Sequence, residues 1–352
     1  MVPSPRLALA APGDPAAAAG DFEIGSSFVG MLRWLLDRVR RVRTRLLVWL
    51  GLWRGRWRRG RVEVAGIRVF PGAPTVRFWR FGLYAPAGLR DDEPAPLVVL
   101  LHGCRQRALG FAYASGWTRL ADRAGVRLLC PEQRRLANLL RCWNWFHPYA
   151  QAGHGELDVI LRAIEDVTTR VRVDAQRIAA VGMSAGAALA ALLAFHYPRR
   201  FRAVAAFAAP PLLGAFGVHD PRAVMRRGLR TSPLLALGAR HEPCAPLVIV
   251  HGTADEVVHP RCAEQLLAQA LESLRRAGVQ VEKLESATDD ARIGSTDFRA
   301  GERLLLRRLS IRDAGHLWTG GPGGHPFCVA DGVPLTALVG RFLRDAGLFD
   351  RA

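Results

Sequence analysis

The segment Pro96-Leu-Val-Val-Leu-Leu101 runs without a polar side chain and stops at His102-Gly103. A strand apolar on both faces has to be covered on both faces, as in a parallel sheet. The rest of the chain repeats this pattern. Strands are predicted at 126–130, 178–181, 203–207, 247–250 and 304–310. Helices are predicted at 112–124, 156–171, 185–196, 262–277 and 335–346. Such alternation gives a mostly parallel sheet with helices on both faces, an α/β architecture. Ahead of it, 62–69 and 76–84 alternate around a Pro/Gly turn and read as an antiparallel pair. Residues 209–245 break the rhythm with Pro, Gly, Arg and His. They are expected to form a short insertion over the C-terminal edge of the sheet, where open α/β folds bind ligands.

Gly182-Met183-Ser184-Ala185-Gly186 joins the strand at 178–181 to an alanine-rich helix. A G-x-S-x-G turn between strand and helix exposes its serine above the sheet, and the glycines avoid backbone collisions in the sharp turn. The bland alternative for Ser184 is an ordinary helix N-cap. A serine hydroxyl needs a base, and the base needs an orienting acid. Asp255 follows the strand at 247–250 and His316 follows the strand at 304–310. The order Ser184, Asp255, His316 is that of an α/β-hydrolase. Asp313 and Glu256 compete weakly as the acid. His251 and His259 read as surface or loop-stabilising side chains, and His325 is the main rival of His316. The oxyanion donors are expected to be the backbone N–H groups of Ala185 and Cys104, the latter in the loop after the apolar strand. Cys142-Trp-Asn-Trp-Phe146 reads either as a rigid apolar wall with a polar handle or as a buried loop plug. On the first reading Trp143, Asn144 and Trp145, together with His102 and Trp318, line the substrate pocket.

The six cysteines, at 104, 130, 142, 244, 262 and 328, form no CxxC pair and no Cys/His cluster with zinc spacing, so neither a metal nor a cofactor is expected. Buried free thiols are the default. A cystine between Cys104 and Cys142, which would tie the aromatic segment to the oxyanion loop, is the alternative.

The net charge is +18, and 31–62 hold eleven arginines against one acid, Asp37. Lys283 is the only lysine, a bias that points to base composition rather than to a binding surface. Residues 1–27 are expected to be a disordered tail, 28–61 a basic amphipathic segment and 62–352 the catalytic domain. Within 28–60, Leu35, Val39, Val42, Leu46, Trp49, Trp53 and Trp57 fall at helical spacing. The segment then reads as a helix docked on the body, as a helix on an anionic membrane surface, or as a nucleic-acid arm, the last being least supported. No apolar stretch reaches the length of about 18 residues that a membrane span needs. The start of the chain lacks a clear secretory signal, so the compartment stays open.

Taken together, Leu101-His-Gly-Cys-Arg-Gln106, Cys142-Trp-Asn-Trp-Phe146, Gly182-Met-Ser-Ala-Gly186, His251-Gly-Thr-Ala-Asp255 and Ala314-Gly-His-Leu-Trp-Thr-Gly-Gly321 resemble the polyhydroxybutyrate (PHB) depolymerase-like esterases of the α/β-hydrolase superfamily. The resemblance spans about residues 75–345. It implies hydrolysis of short-chain hydroxyalkanoate esters or polyesters by Ser184, Asp255 and His316, and it suggests secretion. Ala187 stands where the family usually has a second glycine, and Phe207-Ala-Ala-Pro-Pro211 where members tend to have a Ser-Gly turn. With no polymer-binding domain expected after the last helix, soluble or short esters are favoured over crystalline polymer. Acetyl- or feruloyl-polysaccharide esterase activity is the alternative. An inactive hydrolase body on a membrane or granule is the reading from another class, and a peptidase of similar fold is a third.

Overall fold

The computed structural model describes residues 55–67, 75–214, 220–238, 241–286 and 288–350, all within one compact unit. Two antiparallel strands come first, β1 (Arg56–Ile67) and β2 (Val76–Ala85). Then come β3 (Ala95–Leu101), helices α1 (Ala108–Ala114) and α2 (Trp117–Ala124), and β4 (Arg127–Glu132). A short α3 (Pro148–Gln151) leads to α4 (Glu156–Arg170), β5 (Val173–Met183), α5 (Ala185–His196) and β6 (Ala203–Phe207). The chain continues through α6 (Pro221–Arg227), β7 (Leu247–Gly252) and α7 (Arg261–Arg276). It ends with β8 (Glu282–Ser286), β9 (Ile293–Ala300), β10 (Arg303–Ile311) and α8 (Leu335–Asp345). Together the strands make one sheet in the order β1-β2-β4-β3-β5-β6-β7-β10-β9-β8. The six central strands, β4 to β10 in that order, are parallel. This is the α/β-hydrolase fold.

Alternation along β3 divides the core. Leu97, Val99 and Leu101 face the layer that holds α4 and α5, while Val98 and Leu100 face the layer of α1, α2 and α8. Burying each such side chain contributes on the order of 2 kcal/mol. Helix α5 is buried along its length apart from His196, which is why its sequence shows no polar stripe. The chain leaves β3 toward β4 on one side and returns to β5 on the other. The strand order therefore reverses between β3 and β5, and a crevice opens outside their carboxyl ends. His102-Gly103 and Ser184 stand at the ends of those two strands.

Several local expectations need correction. The single helix expected at 112–124 is two, because Gly116 takes φ 86° and caps α2 from the left-handed region. Trp57 does not continue a helical face. It lies in β1 opposite Tyr84, and the two rings pack 5.0 Å apart. The part of the basic segment before residue 55 lies outside the described residues. Strands β8 and β9 were not anticipated. The insertion after β6 carries α6 and packs on α7, with Gln265 bonded to Leu229 and Gln269 to Leu212 and Pro233. Its Met225 carbonyl accepts from the backbone N–H of His259, at the end of the Asp255 loop.

Candidate active site

Ser184 sits between β5 and α5 with φ 56° and ψ −120°, a conformation that costs a non-glycine residue about 1–3 kcal/mol. The surroundings enforce it. Its N–H donates to Phe207 O at 2.9 Å. A Cβ at Gly182 would strike the Gly186 carbonyl, and one at Gly186 would strike the Leu101 carbonyl. The Ser184 side chain does not cap α5, so its hydroxyl is not spent as an ordinary N-cap.

Asp255 and His316 are brought together. His316 Nδ1 lies 2.7 Å from Asp255 Oδ2. An ionised carboxylate can only accept, so Nδ1 carries the proton and Nε2 is left as the basic nitrogen. Asp255 Oδ1 accepts from the N–H groups of Val257 (2.9 Å) and Val258 (2.8 Å). Burial pushes this carboxyl up, but the hydrogen bond and charge of His316 and the Val258 N–H outweigh it and hold Asp255 below its ordinary range. The acid and histidine loops are laced together by Ala254 N–H to Ala314 O and Thr253 N–H to Ile311 O. A side chain at Gly252 would collide with the Ala314 carbonyl. Ser184, Asp255 and His316 are all nearly buried, at 5, 3 and 7% exposure. Among the described residues no hydrogen bond joins Ser184 Oγ to His316, a link that apo sites often leave long.

The histidine rivals separate cleanly. His251 is buried beneath the acid, its Nε2 2.7 Å from Val258 O and 3.5 Å from Asp255, so it braces the loop. His325 accepts the Arg107 N–H at 3.1 Å, away from the acid. Asp313, with φ 56°, turns the chain and donates its N–H to Thr253.

Cys104 and Cys142 form a disulfide, which replaces the default reading of free thiols at those positions. Cys130, Cys244, Cys262 and Cys328 are free and buried. Burial pushes the thiols up, to about 11 for Cys244 and about 12 for Cys262 and Cys328. Among the described residues, the N–H groups of Cys104 and Ala185 have no acceptor, as oxyanion donors require.

The five residues expected to line the pocket are all buried. His102, Trp143 and Trp318 are completely buried. Trp318 belongs to the core, against Phe111 and Phe207, and donates to Thr336 Oγ1 at 2.9 Å. Trp143 packs against the His102 ring. Trp145 is buried against Phe146. Asn144 donates its N–H to Glu156 Oε2 and its Nδ2 to Glu156 Oε1, both at 2.6 Å, and its Oδ1 accepts from Asn138 Nδ2 at 3.0 Å. These contacts fit the buried-plug reading of the aromatic segment.

Three buried residues, Gln106, Gln133 and Glu156, hold the loop of Cys104. Gln106 Oε1 accepts the Gly103 N–H at 2.7 Å, and its Nε2 donates to Pro326 O at 2.6 Å. Phe327, the next residue, lies edge-on to the His316 ring. The Gln133 N–H donates to His102 Nε2 at 3.1 Å, and the opposite nitrogen of that ring faces Gly103 O at 2.8 Å. Burial lowers His102 to about 4, so it is a neutral spacer at pH 7. Glu156 accepts from Gln133 and Asn144, and burial raises it to about 7 despite those bonds. Gln106, adjacent to the His-Gly-Cys turn, was the one of the three with a signal in the sequence.

Among the described residues no group of three or more His, Cys, Asp or Glu side chains could hold a metal ion, and no helix is long and apolar enough to cross a membrane.

Residues 79–295 match the family described as Esterase PHB depolymerase, a span that includes Ser184 and Asp255 and stops short of His316. The chain is 30% identical over 194 residues to poly(3-hydroxyalkanoate) depolymerase C of Paucimonas lemoignei, covering 53% of this chain and 46% of that protein. It thus spans about half the length of that relative. It is 28% identical over 205 residues to feruloyl esterase B of Neurospora crassa, covering 54% of this chain and 68% of that one. Among solved structures it resembles the acetyl xylan esterase from Aspergillus awamori, with a TM-score of 0.56 at 17% identity over 73% of this chain and 94% of that one. At that identity the likeness concerns the fold.

Proposed function

The chain belongs to the PHB depolymerase esterase family, and on that premise we propose that it is a carboxylic ester hydrolase in which Ser184 is the nucleophile, His316 the base and Asp255 the orienting acid. The observation that carries this reading is the 2.7 Å bond from His316 to an Asp255 carboxylate whose other oxygen is fixed by two backbone donors. Ser184 itself stands at the end of β5 in a strained turn, with its side chain making no capping bond to α5.

Chemically, Ser184 Oγ attacks the acyl carbon while His316 Nε2 takes its proton. The negative charge on the carbonyl oxygen falls to the N–H groups of Cys104 and Ala185. His316 then protonates the leaving alkoxide, which departs as the alcohol and leaves an acyl-enzyme. Water, deprotonated by the same imidazole, releases the acid and restores Ser184. Asp255 keeps the imidazole in its useful tautomer and stabilises its cation.

The substrate class we propose is a short-chain hydroxyalkanoate ester or oligoester, in keeping with the depolymerase relative. A feruloyl or acetyl ester of a polysaccharide is the second reading, favoured by the feruloyl esterase relative. Hydrolysis of p-nitrophenyl butyrate, lost in Ser184→Ala, tests the enzyme class. Product analysis on 3-hydroxybutyrate oligomers beside feruloylated and acetylated sugars tests the substrate. Hydrolysis of peptide amides but of no ester would overturn both.

A further inference from the structure

A cavity of about 1100 Å³ opens beside the oxyanion loop, walled by β1, β2, the segment after β4 and the His325 loop. Its wall contains none of Ser184, Asp255 and His316, so it is separate from the ester site. Arginine supplies eight of its seventeen lining residues, against 49 Lys and Arg among 352 residues of the chain, so base composition alone does not account for it.

The distribution of partners sharpens the point. Among the described residues Glu132 is the only carboxylate on the wall, and it is already taken by Arg141 at 2.6 Å with Arg107 at 3.5 Å. Arg170 is paired with Asp166. Arg59, Arg61, Arg80, Arg134 and Arg135 have no carboxylate within 4.0 Å among the described residues. Strand register makes the crowding specific. Arg61 stands directly opposite Arg80, and Arg80 directly opposite Glu132, whose charge is spent elsewhere. Like charges facing each other across strands are unfavourable unless something neutralises them. Two of the five are also held in place. The Arg61 guanidinium lies 4.8 Å over the Phe78 ring, and Arg134 Nη1 donates to the Phe78 carbonyl at 2.8 Å. Pre-positioned guanidiniums lose less freedom on binding, and their planar fork matches phosphate oxygens.

We propose that this cavity binds a ligand carrying two or more phosphate groups, which neutralise the guanidiniums of Arg59, Arg61, Arg80, Arg134 and Arg135, none of them paired with a carboxylate among the described residues. A single carboxylate brings one charge, whereas each phosphate brings up to two charges and three acceptor oxygens. The phosphates belong either to a free oligophosphate or to lipid headgroups.

The test titrates the full chain with inorganic tripolyphosphate at low salt by calorimetry, and in parallel measures sedimentation with phosphatidic-acid vesicles and with neutral phosphatidylcholine vesicles. The variants are R61Q/R80Q and, as a milder second change, R135Q. Retained p-nitrophenyl butyrate hydrolysis reports that each is folded. The expected result is saturable 1:1 binding of tripolyphosphate that weakens as salt rises, with affinity lowered at least tenfold in R61Q/R80Q and less in R135Q. Binding to phosphatidic-acid vesicles alone, lost in R61Q/R80Q, would assign the phosphates to lipid and support the same site. Wild-type affinity for both probes in R61Q/R80Q, or no binding of either probe by the wild-type chain at low salt, would overturn the proposal.

Discussion

Removing the Cys104–Cys142 cystine should lower stability and turnover together. The two cysteines are 38 residues apart, so the bond closes a ring of that size in the unfolded chain. Loop-closure entropy for such a ring amounts to about 4 kcal/mol at 25 °C. At an unfolding entropy of about 2.1 cal/mol/K per residue, a body of roughly 290 residues loses about 7 °C of Tm. The folded side matters as well. Cys104 is the proposed oxyanion donor, and its loop is fixed otherwise by Gln106 and by the Arg105 N–H to Leu140 O bond of 2.7 Å. A looser donor stabilises the oxyanion less, and loss of one such donor costs on the order of 10²-fold in kcat. With the remaining contacts in place, C104S/C142S should fall about tenfold in kcat and little in KM. Thermal unfolding by circular dichroism, with and without reductant, reads the stability. Thiol counting in denaturant should give four reactive groups before reduction and six after. A Tm unchanged in C104S/C142S, beside a wild-type chain with four reactive thiols, would refute the entropic argument.

The site yields further expectations. S184G should be more stable than S184A by about 1–2 kcal/mol in denaturant titration, because glycine relieves the φ 56° conformation while both variants lack the nucleophile. D255N should lower kcat on the order of 10³–10⁴-fold by losing the tautomer lock. Because Asp255 titrates below its ordinary 3.8 when folded, its stabilisation is present above that pH and lost on acidification, so the stability gap between wild type and D255N should narrow below about pH 4. Glu156 has the opposite sign. Its folded value of about 7 lies above 4.5, so its contribution is full below pH 4.5 and lost as pH rises to about 7, by at most about 3 kcal/mol. The stability of E156Q relative to wild type should therefore climb over that window and then level off. For the basic segment 28–60, binding to anionic vesicles should weaken with salt and fall when 1–54 are removed, a cut that spares β1 and the arginine-lined cavity.

The parts of this fold that were legible in the sequence are those where one local cause suffices. Apolar strands buried on both faces and the glycines at 182 and 186 needed no tertiary knowledge. Strand β8, Glu-Lys-Leu-Glu-Ser, was missed because it is an outer strand facing solvent, where no apolar alternation is required. The break at Gly116 was lost inside a long apolar stretch. For Trp143 and Trp318 the sequence leaves wall and core open, because aromatic residues beside catalytic motifs serve equally well as either. Only packing against His102, or against Phe111 and Phe207, separates the two. Glu156 could not be found at all by pattern, since an acid in the first turn of an amphipathic helix is usually solvated.

The central claim is that Ser184 becomes acylated with His316 as its base. Incubation with a p-nitrophenyl fluorophosphonate ester, followed by peptide mass spectrometry, tests it most directly. A single adduct on Ser184, formed far more slowly in H316A and absent in S184A, is the predicted result. Undiminished ester hydrolysis by S184A, or an adduct on another residue that accounts for the lost activity, would contradict it.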